Sequence, residues 1–197
     1  MSKTIILSVT AGMLAGYFFV PDSWVFICEY LIKGGLCAIL FLVGLDIGRQ
    51  ENVWKEIREV GFWIFLFPLA IIVGTLAFGA LSGLFLPMTI QEAVGVAAGL
   101  GWYSLAPMML AEYSATLSAT AFLANVFREI GGIIFVAFVA DKVGFIESIA
   151  VPGSSSMDTC LPVIVSATND RVAIYSIVSG VVISISIPFL IQIVMGF

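Results

Sequence analysis

The stretch Phe122-Leu-Ala-Asn-Val-Phe-Arg-Glu-Ile-Gly-Gly-Ile-Ile-Phe-Val-Ala-Phe138 decides how this chain is read. It places Asn125, Arg128 and Glu129 inside an apolar run long enough to cross a bilayer. A charge at mid-membrane costs roughly 2.5–3.5 kcal/mol on insertion scales. Chains keep such charges where they face a wet cavity or a partner, and a path for ions or polar solutes is the usual reason.

The rest of the composition agrees. Of 197 residues, 61% are hydrophobic and only 11% charged, with a mean hydropathy of +1.15. A soluble domain carries about 25% charge, so the sequence predicts an all-α, polytopic integral membrane protein. The net charge of −5 sits mostly in loops, and no basic patch suggests a nucleic-acid partner. Histidine is absent, which removes Ser-His-Asp catalysis and ordinary His-based metal sites. Cys28, Cys37 and Cys160 have no C-x-x-C spacing and read as small buried hydrophobes. No enzyme, metal or cofactor is expected. Residues 4–20 carry no small-residue cleavage pattern before Pro21 and read as a retained first helix rather than a signal peptide.

A spanning helix needs about 20 mostly apolar residues. After the first, the stretches 25–44, 61–84, 115–140 and 172–195 qualify. Two more do not: 93–109 is interrupted by Gly99-Leu-Gly-Trp-Tyr-Ser104, and 149–165 by Pro152-Gly-Ser-Ser-Ser-Met-Asp158. Broken backbone at membrane depth is tolerable only inside protein or against water. Basic residues favour the cytoplasmic side. If 93–109 and 149–165 dip in and return, Lys3, Arg49, Lys55, Arg58, Lys142 and Arg171 all fall inside. The expected topology is therefore about five crossings plus two re-entrant hairpins, N-terminus inside and C-terminus outside the cell membrane. Span, break and span recur after about 55 residues, as an inverted repeat predicts. The chain is expected to form one transporter domain: flanking helices over 1–45, hairpin-bearing units over 61–114 and 115–168, and a closing helix over 172–197.

The polar residues gather in three places. Asn125, Arg128 and Glu129 share one side of their helix by i, i+3 and i, i+4 spacing. Either they form an ion network locking helices together, or they form a solute or proton site. The second break, Ser154, Ser155, Ser156 and Asp158, offers free amides for an anion and a carboxylate for a cation, or else an ordinary turn with Asp158 as cap. The first break offers Trp102 and Tyr103 as π faces for a cation and Ser104 as a hydroxyl, unless the aromatics belong to an interfacial belt. Glu29 and Lys33 read as a self-satisfied i, i+4 pair, and 51–59 as a surface connector helix.

Gly99-Leu-Gly-Trp-Tyr-Ser-Leu105, Asn125-Val-Phe-Arg-Glu129 and Ser156-Met-Asp-Thr-Cys-Leu-Pro-Val163, with Leu42-Val-Gly-Leu45, occur in one order and spacing. On these motifs the chain resembles the lysine exporter family LysO, over the larger, C-terminal part of that family's length. The resemblance implies export of L-lysine and its analogues, with Glu129 important for transport. It also implies a partner for the missing part: a separate small N-terminal-type subunit, or a second copy in a homo-oligomer. A mechanism follows as hypothesis. Glu129 and Asp158 hold the ammonium groups, the 154–156 amides and Arg128 hold the carboxylate, and protons exchange for lysine. Another cationic or zwitterionic solute, or a non-transporting membrane scaffold, stands as the alternative.

Overall fold

The computed structural model describes residue 61, residues 63–196 and single positions between 7 and 45. Of the expected elements, the connector at 51–59 and the Glu29–Lys33 pair lie outside the described residues, as do most positions of the helices at 4–20 and 25–44. Within them every regular element is helical: α1 (Trp63–Gly83), α2 (Ile90–Ala97), α3 (Leu105–Leu110), α4 (Ala115–Lys142), α5 (Leu161–Ala167) and α6 (Asp170–Met195). Two 3-10 turns, Glu147–Ala150 and Gly153–Met157, lie between α4 and α5.

Three described helices are long and apolar enough to span a bilayer: Ile64–Gly83, Ala115–Lys142 and Asp170–Met195. Their starts are marked by local chemistry. The Ser114 side chain accepts from the Leu117 amide and opens α4; Asn169 does the same for α6 through Val172. Thr89 and Glu92 form a reciprocal capping box at α2, satisfying amides that a helix start leaves open. Outward faces keep Phe78, Phe127, Phe138, Phe189 and Ile193 exposed, the pattern of a surface whose solvent is hydrocarbon.

Neither interrupted stretch runs through; each turns back. Thr75, midway along α1, meets Arg128, midway along α4. Ser82 and Thr120 line one cleft nearer the helix ends, so α1 and α4 are antiparallel. Gly79 and Gly83 of α1 lie against Ala97 and Ala93 of α2, so α2 runs back along α1. Ser118 then donates to the Pro107 carbonyl at 2.8 Å, tying α3 beside the start of α4. The first hairpin therefore enters and leaves at the end of the bundle that holds the start of α4. The Gln91 side chain bonds the Val194 carbonyl at 2.9 Å, which brings the C-terminal end of α6 to that same end.

The second hairpin comes from the opposite end, where α4 finishes and α6 begins. Gly132 of α4 packs against Pro152 and Cys160, and Gly180 of α6 against Met157. Ser156 and Ser176 exchange hydroxyl-to-carbonyl bonds at 3.1 and 2.9 Å. Two hairpins entering from opposed ends, sharing α4 between them, are the arrangement an inverted repeat produces.

The hairpin tips meet beside the centre of α4. That helix has 28 residues, about 42 Å at 1.5 Å per residue, against a hydrocarbon core of about 30 Å. Arg128 and Glu129 fall at its middle.

Candidate functional site

The crossing of the two broken segments is built from backbone in unusual conformations. Leu100 has φ +48°, Gly101 +104° and Gly153 +69°, all in the left-handed region that favours glycine. A Cβ on Gly101 would strike the Pro152 carbonyl, and one on Gly153 would strike the Leu100 carbonyl and the Arg128 guanidinium. With no Cβ on either glycine, the two segments touch: the Ser154 amide donates to the Leu100 carbonyl at 2.9 Å, and the Ser155 hydroxyl to the Gly101 carbonyl at 3.4 Å.

Two residues of α4 hold this crossing in place. Asn125, 3% exposed, accepts from the Gly101 amide at 2.7 Å and donates to the Ala121 carbonyl at 2.7 Å. Arg128 donates to the Ala150 and Val151 carbonyls at 3.1 Å each and reaches the Thr75 hydroxyl at 3.4 Å. It thereby caps carbonyls at the end of the Glu147–Ala150 turn, which a broken helix leaves open, and a cation is favoured at that end. Among the described residues, no carboxylate pairs with Arg128.

Glu129, one residue on, points elsewhere. It lines a cavity of about 190 Å³ together with Trp102, Tyr103, Ser104, Ser154, Ser155, Met157, Asp158, Thr159 and Ser184. Thr159 stands between the two acids: its hydroxyl donates to Glu129 Oε1 and lies 3.3 Å from Asp158 Oδ1. The Thr159 amide also donates to Asp158 Oδ1, at 2.6 Å. A hydroxyl has one hydrogen, so it serves only one of the two carboxylates at a time. Among the described residues, the cavity wall carries two acids and no basic residue. Such a wall is complementary to a cation or a proton.

The sequence-predicted residues thus divide. Glu129, Asp158, Ser154, Ser155, Trp102, Tyr103 and Ser104 come together at the cavity. Asn125 and Arg128 lie on the structural side of the crossing, and Ser156 is fully buried against α6. The Tyr103 ring stands edge-on to Phe122 at 6.5 Å. Asp158 caps no α-helix; the cap position of α5 is Cys160, without a side-chain bond. Thr159 and Ser184 are cavity residues that sequence reasoning passed over. Thr159 was flagged only by its neighbour Asp158. Ser184 is one of several serines in α6 (176, 179, 184 and 186), and intramembrane hydroxyls are too ordinary to single it out.

The family described as lysine exporter LysO matches residues 6–195. The chain belongs to the LysO family. Lysine exporter LysO of Escherichia coli (strain K12) is 27% identical over 159 residues, which cover 79% of this chain and 52% of that protein. A Haemophilus influenzae protein, provisionally named a lysine exporter, is 25% identical over 159 residues, 79% of either chain. The chain therefore spans about half the length of its E. coli relative. No solved structure matches. Within this LysO chain, the match covers both broken segments and the central helix that carries Glu129.

Proposed function

We propose that this chain is the hairpin-bearing transport core of an L-lysine exporter that moves lysine out of the cytoplasm in exchange for protons. The observation that carries the reading is the pair Glu129 and Asp158, held around one threonine hydroxyl in a cavity with no basic residue among its described lining, where two unwound segments meet at mid-bundle. Lysine brings two ammonium groups, and the two carboxylates take them; Trp102 adds a π face for a cation. When lysine leaves, protons replace it on the acids. Because ammonium and proton compete for the same carboxylates, loading one expels the other, which is the minimal requirement for exchange.

The proposed assembly follows the pattern of hydropathy, breaks and basic residues along the chain. Units 61–114 and 115–168 carry the hairpins, 172–197 closes them, and the core rocks against 1–45. The basic residues between 49 and 58 and Lys142 lie on the cytoplasmic side, with the N-terminus inside and the C-terminus outside. A small N-terminal-type subunit or a second copy of the chain completes the transporter.

The test is lysine flux from loaded proteoliposomes. Glu129→Gln keeps the Thr159 contact geometry but loses the charge, so it is expected to insert normally and to end proton-coupled efflux. Undiminished efflux by that variant would remove Glu129 from the mechanism.

A further inference from the structure

An amino acid carries a carboxylate as well as its ammonium groups, and that carboxylate needs donors. The obvious ones are already occupied. Arg128 is taken up by the Ala150 and Val151 carbonyls and Thr75, and the Ser154 amide by the Leu100 carbonyl. The Ser155 hydroxyl bonds Gly101, and that of Thr159 bonds Glu129.

Two further buried hydroxyls line the cavity wall. Ser184, on α6, is 7% exposed, and its oxygen has no hydrogen-bond partner among the described residues. Ser154, in the second break, is 5% exposed and lines the same wall. Helical hydroxyls ordinarily bond back to a carbonyl one turn earlier. Ser186, Thr120 and Thr168 do so, to Val182 at 2.7 Å, Thr116 at 2.9 Å and Ile164 at 2.6 Å. Ser179 and Ser184 do not, and of these two only Ser184 lines the cavity. A buried donor without a partner is costly, so its persistence at a cavity wall points to a ligand that completes it.

We infer that Ser184 and Ser154 form a neutral, two-hydroxyl subsite for the carboxylate of an α-amino acid, supplied from α6 and from the second hairpin. The inference rests on the transport reading above and narrows it: the cavity selects amino acids over simple diamines. Neutral donors suit this role. An arginine facing Glu129 and Asp158 would pair with them and compete with the substrate's ammonium groups, whereas hydroxyls read the carboxylate without neutralising the acids. The subsite also draws one donor from each of two elements already packed together, the second hairpin and α6.

The experiment compares binding of L-lysine and of 1,5-diaminopentane, which is lysine without its carboxylate, to the purified full chain. The unaltered protein is expected to prefer L-lysine. Ser184→Ala removes one hydrogen bond to a charged group and is expected to weaken L-lysine by about tenfold or more, leaving the diamine unchanged. Ser154→Ala should behave alike. Ser179→Ala is the control: Ser179 is also buried and unpartnered but does not line the cavity, and both affinities should hold. Equal losses for lysine and diamine in Ser184→Ala, or no loss for either, would overturn the subsite while leaving the transport reading intact. Binding of neither compound by the unaltered chain would overturn both.

Discussion

Asn125→Ala removes the tie between the centre of α4 and the first hairpin's tip. Two bonds are lost, to the Gly101 amide and the Ala121 carbonyl, each at 2.7 Å. They are not equivalent. Ala121 lies within α4, where its carbonyl keeps its place in the helix ladder. The Gly101 amide belongs to a segment that other contacts hold at φ +104°, so it cannot turn to a new partner. An orphaned buried donor costs about 1–3 kcal/mol, while side-chain bonds between membrane helices average only ~0.6 kcal/mol. Because the orphan is backbone in a fixed conformation, the larger figure governs, and about 2 kcal/mol is expected. At roughly 2–4 °C per kcal/mol for a chain of this size, the melting temperature in detergent should fall by about 4–8 °C. Flux should fall with it, because the cavity-lining run 101–104 leaves its anchor. A variant that melts with the parent protein would refute the idea that Asn125 holds the crossing, and would return it to the cavity as a candidate ligand.

Two further substitutions probe the site. Gly153→Ala forces a side chain into the left-handed region against the Leu100 carbonyl and the Arg128 guanidinium; a loss of about 1–3 kcal/mol should appear in the same melt, and an unchanged transition would deny that the two breaks touch there. Thr159→Val keeps the shape but takes away the hydroxyl between Glu129 and Asp158. Losing one charge-assisted bond of about 1.5–3 kcal/mol should raise the KM for lysine by about tenfold or more with the protein still folded, and an unaltered KM would place the hydroxyl outside the binding step.

The residues themselves announced a great deal. The low charge, the apolar runs and the two Gly- or Pro-bearing interruptions specify a membrane protein with broken segments. The reason is that hydrocarbon leaves the backbone few choices: regular helix where nothing else is polar, irregular chain only where protein or water can satisfy it. The ends of α4 and α6 were legible to within two residues, because their apolar runs match the length a bilayer requires. Glu129 stood out because a mid-membrane carboxylate is costly wherever it lies.

Sequence alone did not determine which side each polar residue serves. Arg128 and Glu129 are neighbours in the chain, about 100° apart around one helix, and periodicity could not say which faced a cavity and which a broken helix end. That was decided by packing: the second hairpin brings the Ala150 and Val151 carbonyls to Arg128 and the Asp158–Thr159 pair to Glu129. Ser184 was equally silent in one dimension, 26 residues after Asp158 and 55 after Glu129, with which it lines the cavity. Local sequence carries the cost of burying a group. Only the fold supplies the partner that offsets it, because those partners come from other elements, at separations that no helical period encodes.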